Sequence, residues 1–242
     1  SVHKQTMDEH VIRFSSYNCR GFNEVKASYI IRLLQLCEFL FIQEHWLADS
    51  QLHSLNNLCN THISHGSSGF NKDIILSGRP YGGCAILWRA DIKAQVFFIE
   101  TNNNRICGIR VHYDTKKMLL INVYMPYESD AAAADEFSSV LADVIAIIDL
   151  YDDHCFVLGG DFNVDFAKHI THSGLLRDIC EVNNMRVATL HSNSNIDFTY
   201  NFDLSRFSFI DHFIVPENVY ASFIDSCSVS HDSEKLSDHD PI

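Results

Sequence analysis

The sequence predicts an α+β protein of four layers, two β-sheets packed together with helices outside them (α/β/β/α). Three observations lead there. Short apolar runs rich in β-branched and aromatic residues outnumber helical ones. No Pro/Gly/Ser-rich linker or charge run divides the 242 residues, and no repeat period is visible. A chain of this length reaches the size at which sandwiches and barrels still form a single unit. Residues 11–242 are therefore expected to be one domain, after a polar leader over residues 1–10 (SVHKQTMDEH).

The strands are expected at VIRFSSY, FLFIQ, CAILW, QVFFIE, RICGIRVHY, MLLINVYM, CFVL, FSFIDHFIV and SCSVS, each a run that alternates or is short and β-branched. Helical spacing appears in KASYIIRLLQLCEF, where Ile30, Ile31, Leu33, Leu34 and Cys37 share a face. It recurs in DEFSSVLADVIAIIDLY through Phe137, Val140, Leu141, Val144, Ile145 and Ile148. Shorter helices are expected over Gln51 to Leu58 and Gly174 to Asn184, and HISHGSSGFNKDIILSGRPYGG reads as a long surface loop.

Composition narrows the function. With 46% hydrophobic and 20% charged residues the chain is globular. Its formal charge of −13 repels nucleic acid at long range, which counts against a role in simply coating DNA. It leaves room for an enzyme whose cleft holds a divalent cation, because the metal brings positive charge to where a phosphate sits. The cysteines are spread singly, without a C-x-x-C pair, and read as buried thiols in a reducing compartment. Asp143 and Asp149 interrupt the longest apolar stretch, so no segment is expected to span a bilayer.

The polar residues carry the functional signal through their positions. Asn18 and Arg20 follow VIRFSSY, Glu44 follows FLFIQ, Tyr124 stands in INVYMP, Asp161 and Asn163 follow CFVLGG, Asp211 lies inside FSFIDHFIV, and Asp238 and His239 close the chain. Loops at the ends of a rigid sheet are where proteins place chemistry. Singly, each has a plain structural reading: Asp161 and Asn163 as a turn, Glu44 as a solvated charge, His239 as a surface imidazole. Asp211 is either on an exposed face or buried with a partner. Jointly they hold what phosphodiester hydrolysis needs: carboxylates to hold a hard cation and to activate water, an imidazole oriented by a second carboxylate, and amides for phosphate oxygens. Oxygen donors without thiols point to Mg²⁺ or Mn²⁺ before Zn²⁺. His62/His65 and His169/His172 have i, i+3 spacing but no carboxylate or thiol pattern beside them, and are not read as metal sites.

YNCRG, IQEHWL, GGCAILWR, INVYMP, GGDFNVDF, FIDHFIV and SDHDPI, in this order over nearly the whole chain, resemble the endonuclease/exonuclease/phosphatase superfamily. The resemblance implies a DNase-I-like fold with two mixed or antiparallel sheets face to face. IQEHWL, GGCAILWR and the IDH triplet are most similar to the apurinic/apyrimidinic-type endonuclease domain of non-LTR (LINE-type) retrotransposons. That likeness implies a nuclear, Mg²⁺-dependent enzyme that nicks double-stranded DNA and leaves a 3′-hydroxyl for target-primed reverse transcription, with a reverse transcriptase domain downstream. The family usually runs a further strand past SDHDPI, so the chain reads as trimmed close to its last motif. Other superfamily activities use the same machinery: abasic-site repair, deadenylation, and hydrolysis of inositol phosphates or sphingomyelin. A non-catalytic binding module is the alternative of another class.

The resemblance places Glu44 as principal metal ligand, with Asp238 and Asn18 close to the ion. Asp161 would orient or deprotonate the attacking water, Asn163 hold the phosphate, His239 contact the scissile phosphate, Asp211 hold the imidazole, and Tyr124 lie near the phosphate or leaving group. Thr199, in DFTYNF, matches a contact to the DNA backbone. Arg20 stands where repair enzymes often carry an acidic or amide residue; it reads as a phosphate contact or as a salt-bridge partner. The segment NFDLSRFS would enter the minor groove through Arg206 and Phe207, with Phe207 in the core as the other reading.

Overall fold

A computed structural model describes residues 11–70, 81–113, 115–203 and 205–242. The expected leader and residues 71–80 of the expected loop lie outside the described residues. One sheet holds four strands in the order β1-β2-β4-β3, with β1 at Phe14–Asn18, β2 at Phe39–Gln43, β3 at His62–Ser67 and β4 at Cys84–Arg89. The other holds six in the order β5-β6-β7-β8-β12-β9. Its members are β5 (Gln95–Ile99), β6 (Ile106–Tyr113), β7 (Lys116–Tyr124), β8 (Cys155–Asp161), β9 (Met185–Val187) and β12 (Asp211–Pro216). The pairs β1/β2 and β7/β8 are parallel and the rest antiparallel, so both sheets are mixed.

Alternation along the strands builds the four layers. Phe39, Phe41, Ile86 and Trp88 of the smaller sheet meet Ile109, Val111, Leu120 and Phe213 of the larger one between the sheets. The opposite faces take the helices. Leu40, Ile42 and Leu87 receive Tyr29, Ile30, Leu33 and Leu34 of α1 (Glu24–Leu34). Leu119, Ile121 and Val123 receive Phe137, Val140, Leu141 and Val144 of α3 (Ala131–Leu150), joined by Leu176 and Cys180 of α4 (Thr171–Val182). α3 shows its expected apolar face; in α1 Ile30, Leu33 and Leu34 turn inward, while Ile31 is half-buried and Cys37 lies past the helix end. Asn23 and Asp130 cap the two helices through side-chain oxygens that accept from Lys26 N–H and Ala133 N–H.

Several expectations need correction. Residues 62–67 of the expected loop are a strand, held by pairing to β4 although only Ser64 among them is buried, so tertiary pairing overrides composition. FSFIDHFIV is two strands, β11 (Arg206–Ser208) and β12, because the Thr199 hydroxyl accepts the Ile210 and Asp211 N–H groups and turns the chain between them. SCSVS forms one bridge, Ser228 to Asn195, and no strand. The Gln51–Leu58 helix is a 3-10 turn at Asp49–Gln51 followed by α2 at His53–Asn56. α4 begins at Thr171, ahead of the expected Gly174, because the remote Glu128 carboxylate accepts the Thr171 and His172 N–H groups. β9, β10 (Tyr200–Phe202) and α5 (Glu217–Phe223) had no strong pattern to announce them.

The sheets are also joined by polar groups at their centre. Buried Asn122 of β7 donates to Ile42 O and Ala85 O across the interface, each at 2.8 Å, and its Oδ1 accepts from Gln43 Nε2 at 2.7 Å. Gln43 Nε2 also donates to Ser16 Oγ. A satisfied buried network of this kind sets how one sheet sits on the other.

Candidate active site

Strand register delivers the candidate residues to one end of the sandwich. Asn18 pairs with Gln43, whose successor is Glu44; Tyr124 pairs with Asp161; Asp161 pairs with Asp211. The closing segment SDHDPI runs between β1 and β10 (Tyr200–Phe202). Ser16 and Ile242 exchange backbone hydrogen bonds, Asp240 N–H donates to Thr199 O, and Asn201 N–H donates to Asp238 O. This brings His239 to the carboxylates although it lies 28 residues from Asp211 in sequence.

At the centre, Asn18 Nδ2 donates to Glu44 Oε1 at 3.0 Å and to Asp161 Oδ2 at 2.9 Å, so one amide nitrogen gathers two carboxylates. His239 Nδ1 donates to Asp211 Oδ2 at 2.9 Å, and its Nε2 faces Asp161 Oδ2 at 3.8 Å. Asp161, Asp211 and His239 are buried, while Glu44 is half-buried and opens toward solvent. Burial and then the Asp211 charge push the Asp161 carboxyl up, against the pull of His239. Burial works against a charged His239, but Asp211 and Asp161 outweigh it and lift the imidazole above its ordinary value. A cation at the opening would favour the ionised Asp161.

The donor set suits a hard divalent ion. Asp161, Asp211 and His239 each bring a ligand atom within 4.8 Å of the others, and Asp211 Oδ1 is buried with no hydrogen-bond partner among the described residues. Asp211 Oδ2 and His239 Nδ1 are committed to each other, and the half-buried Glu44 carboxylate stands beside Asp161 through their shared Asn18 donor, at the open side of the group.

Two of the expected ligands are placed differently. Asn18 turns its N–H₂ to the carboxylates and its Oδ1 accepts from Arg20 N–H, so here it bridges the acids. Asp238 is paired with the Arg20 guanidinium, so Arg20 takes the salt-bridge reading. Thr199 is fully buried, and its hydroxyl receives two backbone N–H groups at 3.1 Å, which removes it from any surface DNA could touch. Asn163 remains at the rim, its N–H on Asp161 Oδ1 and its Nδ2 on Met125 O. Tyr124 lies beside the acids; burial, Glu44 and Asp161 push its phenol well up, so it stays protonated. Arg206 and Phe207 are exposed on the β10–β11 hairpin, which excludes the core reading of Phe207.

Other residues shape the site without standing out in sequence. Arg20, Glu44, Trp46 and Asn163 all have φ between 45° and 59°, a left-handed conformation that persists only where packing enforces it. His45 does part of this. Its Nδ1 accepts Leu47 N–H, its Nε2 donates to Ser67 O, and its ring lies where a Cβ on Gly83 would be. Lys26, a buried ammonium, donates to Cys19 O and Arg20 O and clamps the loop after Asn18. His212, next to Asp211, accepts from the Thr189 hydroxyl at Nδ1 and donates to Val164 O at Nε2.

Burial pushes His45 and His212 down to about 4. Their folded pKa lies below that of the unfolded chain, so the unfolded state binds more protons between pH 6.5 and about 4, and stability falls as pH falls through that window. By pH 4.5 each imidazole is expected to have removed roughly 2 kcal/mol. Urea unfolding at pH 7 and 4.5 checks this; His212→Gln should lose less stability on acidification than the unmodified chain, and an equal loss would contradict the account.

Residues 15–239 match the Endonuclease/Exonuclease/phosphatase family. The chain belongs to that family. Its members are hydrolases, and the two mixed sheets with outer helices are the DNase-I-like fold of this Exo/Endo/phosphatase family. No curated protein matches the sequence. Among solved structures, the 3′ phosphatase NExo from Neisseria, bound to a product DNA hairpin, is similar at 18% identity and TM-score 0.71, over 96% of this chain and 97% of that one. The AP endonuclease LMAP from Leishmania major is similar at 13% identity and TM-score 0.73, over 94% and 85%. The endonuclease domain of TRAS1, a telomere-specific non-LTR retrotransposon, is similar at 16% identity and TM-score 0.70, over 95% of each chain. At such identities the likeness is one of fold. Among the described residues of this family member, no helix is long and apolar enough to cross a membrane.

Proposed function

We propose that this chain is a divalent-metal-dependent endonuclease that nicks one strand of double-stranded DNA in the nucleus and leaves a 3′-hydroxyl. In this reading it serves a non-LTR retrotransposon whose reverse transcriptase extends that end. The observation that carries the hydrolytic part is the meeting of Glu44 and Asp161 on one Asn18 nitrogen, with the Asp211–His239 pair facing Asp161. The DNA part is supported by the exposed β10–β11 hairpin, which presents Arg206 and Phe207 beside the site, and by the shared fold with the TRAS1 domain.

Mg²⁺ or Mn²⁺, held principally by Glu44, would neutralise phosphate charge and ease departure of the leaving oxygen. The chain's own groups do the rest. Asp161 orients the attacking water and takes its proton, and the cation beside it keeps the carboxylate ionised and able to accept. His239, with Nδ1 fixed by Asp211, presents Nε2 to the phosphate and stabilises its developing charge. The Asn163 amide and the Tyr124 phenol border the same opening and orient phosphate oxygens. Because the overall charge is −13, affinity for DNA is expected to be weak and strongly salt-dependent.

Supercoiled plasmid should become open circles with Mg²⁺ and stay supercoiled with EDTA, and a polymerase should extend the nick without end repair. Faster turnover of abasic DNA, 3′-phosphate ends, poly(A) or an inositol phosphate than of plain duplex would overturn the substrate assignment. On the hairpin, Arg206→Ala is expected to weaken DNA binding and lower its salt dependence by about one counterion. Phe207→Ala should weaken binding by roughly tenfold with the salt dependence unchanged, because it removes an apolar wedge and no charge. Titration of binding against salt reads both.

A further inference from the structure

The far end of the larger sheet carries a pair of histidines that the hydrolytic site does not use. His112 lies on β6 opposite Lys117 of β7, and His154 immediately precedes β8, whose first residue, Cys155, pairs with Met118. Strand β7 therefore runs between them, and the seven residues from Met118 to Tyr124 separate this end from the acidic site by about 20 Å. The two imidazoles lean toward each other across Lys117 until their Nε2 atoms are 3.2 Å apart. Behind them, the Asp153 carboxylate accepts from His154 Nδ1 at 2.5 Å.

That arrangement has a chemical meaning. Protonation of His154 at Nδ1, enforced by Asp153, leaves its Nε2 to accept the His112 Nε2–H; an ion taking both lone pairs displaces that hydrogen, which moves to His112 Nδ1. Imidazole nitrogens bind Zn²⁺ at about 2.0–2.1 Å, so two of them on a tetrahedral ion stand about 3.3 Å apart. The observed spacing meets that need without movement of either strand. A carboxylate on the outer nitrogen is also what a metal-binding histidine ordinarily requires, since it fixes the tautomer and raises the basicity of the ligating atom. The nearby cations are already engaged: Lys117 is paired with Asp153, and the Arg110 guanidinium lies over the Phe97 and Tyr151 rings. The His154 side chain is only 3% exposed, so its position is set by packing and little ordering is left to a bound ion.

We propose that His112 and His154 form a second metal site, for a borderline transition-metal cation such as Zn²⁺, Ni²⁺ or Cu²⁺, with Asp153 as the supporting carboxylate and water in the remaining positions. Two nitrogens and no oxygen ligand select such ions over Mg²⁺, so the two ends of the sheet take different classes of metal.

The test is a calorimetric titration of Zn²⁺ into the full chain and into His239→Ala, because Zn²⁺ competes with Mg²⁺ for the acidic site. One equivalent is expected to bind to His112 and His154 in both. His112→Ala and His154→Ala should each weaken it by at least about tenfold, and Asp153→Asn by about tenfold. Cys155→Ser, which removes the exposed neighbouring thiol, should leave it unchanged. Equal binding in both histidine variants, loss of binding with Cys155→Ser, or no binding by the unmodified chain at about 1 mM Zn²⁺ overturns the site. Should a histidine variant fail to fold, electron paramagnetic resonance of Cu²⁺ on the unmodified chain decides: coupling to two imidazole nitrogens supports the pair, and its absence refutes it.

Discussion

Replacing His239 by alanine is expected to reduce plasmid nicking by roughly a thousandfold while leaving the fold in place. The imidazole occupies a pocket whose other members keep their own partners: Asn18 continues to hold Glu44 and Asp161, and the closing segment stays fixed through Asp240, Ile242 and Ser16. What disappears is the donor that faces Asp161 at 3.8 Å. Asp211→Asn separates orientation from presence. An amide in place of the carboxylate no longer enforces the Nδ1–H tautomer and removes the negative charge that raises the imidazole. Activity should fall by about two to four orders of magnitude, and the alkaline limb of the remaining activity should move to lower pH, because the imidazolium loses a stabilising neighbour. Rates measured against pH for the two variants check both statements. Full nicking by His239→Ala would remove the imidazole from the mechanism.

The second large effect is structural. Gly160→Ala is expected to destabilise the protein by about 3–5 kcal/mol, enough to unfold much of a marginally stable chain at 37 °C. Gly160 has φ +139°, a conformation that side chains rarely adopt. A Cβ there would lie far inside van der Waals contact with Val123 O on the paired strand and 3.0 Å from Asn122 Oδ1. Neither neighbour can retreat: Val123 is in the β7–β8 ladder, and Asn122 is the polar tie between the sheets. Because Asp161 is the next residue, any accommodation is transmitted to the site, so material that folds should also nick poorly. Thermal unfolding and soluble yield check the stability, and a change of less than about 1 kcal/mol would mean that the strand can shift.

Local pattern explains why some of the site was readable and some was not. Glu44, Asp161, Asp211 and His239 could be picked out because each is a polar residue at or near an end of an apolar run, and because the runs appear in a familiar order. Nothing local marks His45 or Lys26 as supports. Their work depends on Gly83, Ser67 and the backbone after Asn18, which are near them only in three dimensions. The same limit explains the misplacements. Asp238 has the right motif for a metal ligand, but its carboxylate meets Arg20 after folding. Asn18 has the right residue type, but the side of its amide that faces the acids is set by the hydrogen-bond network. Thr199 sits in the expected segment, yet two unpaired N–H groups claim its hydroxyl.

By itself the sequence determined the strand and helix periodicities, hence the layers and their buried faces, and it marked the chemistry-bearing residues at strand ends. Those are local properties: alternation every two residues or every 3.6 is visible within a single segment. Only the tertiary structure decided which donor each carboxylate accepts from, how β3 pairs despite its polar composition, and that His112 and His154 meet at the opposite end of the sheet. The reason is geometric. Partners far apart in the chain are chosen by register and by sheet-on-sheet packing, and a hydrogen bond or ion pair changes identity over an ångström or two, a scale that no spacing along the chain encodes.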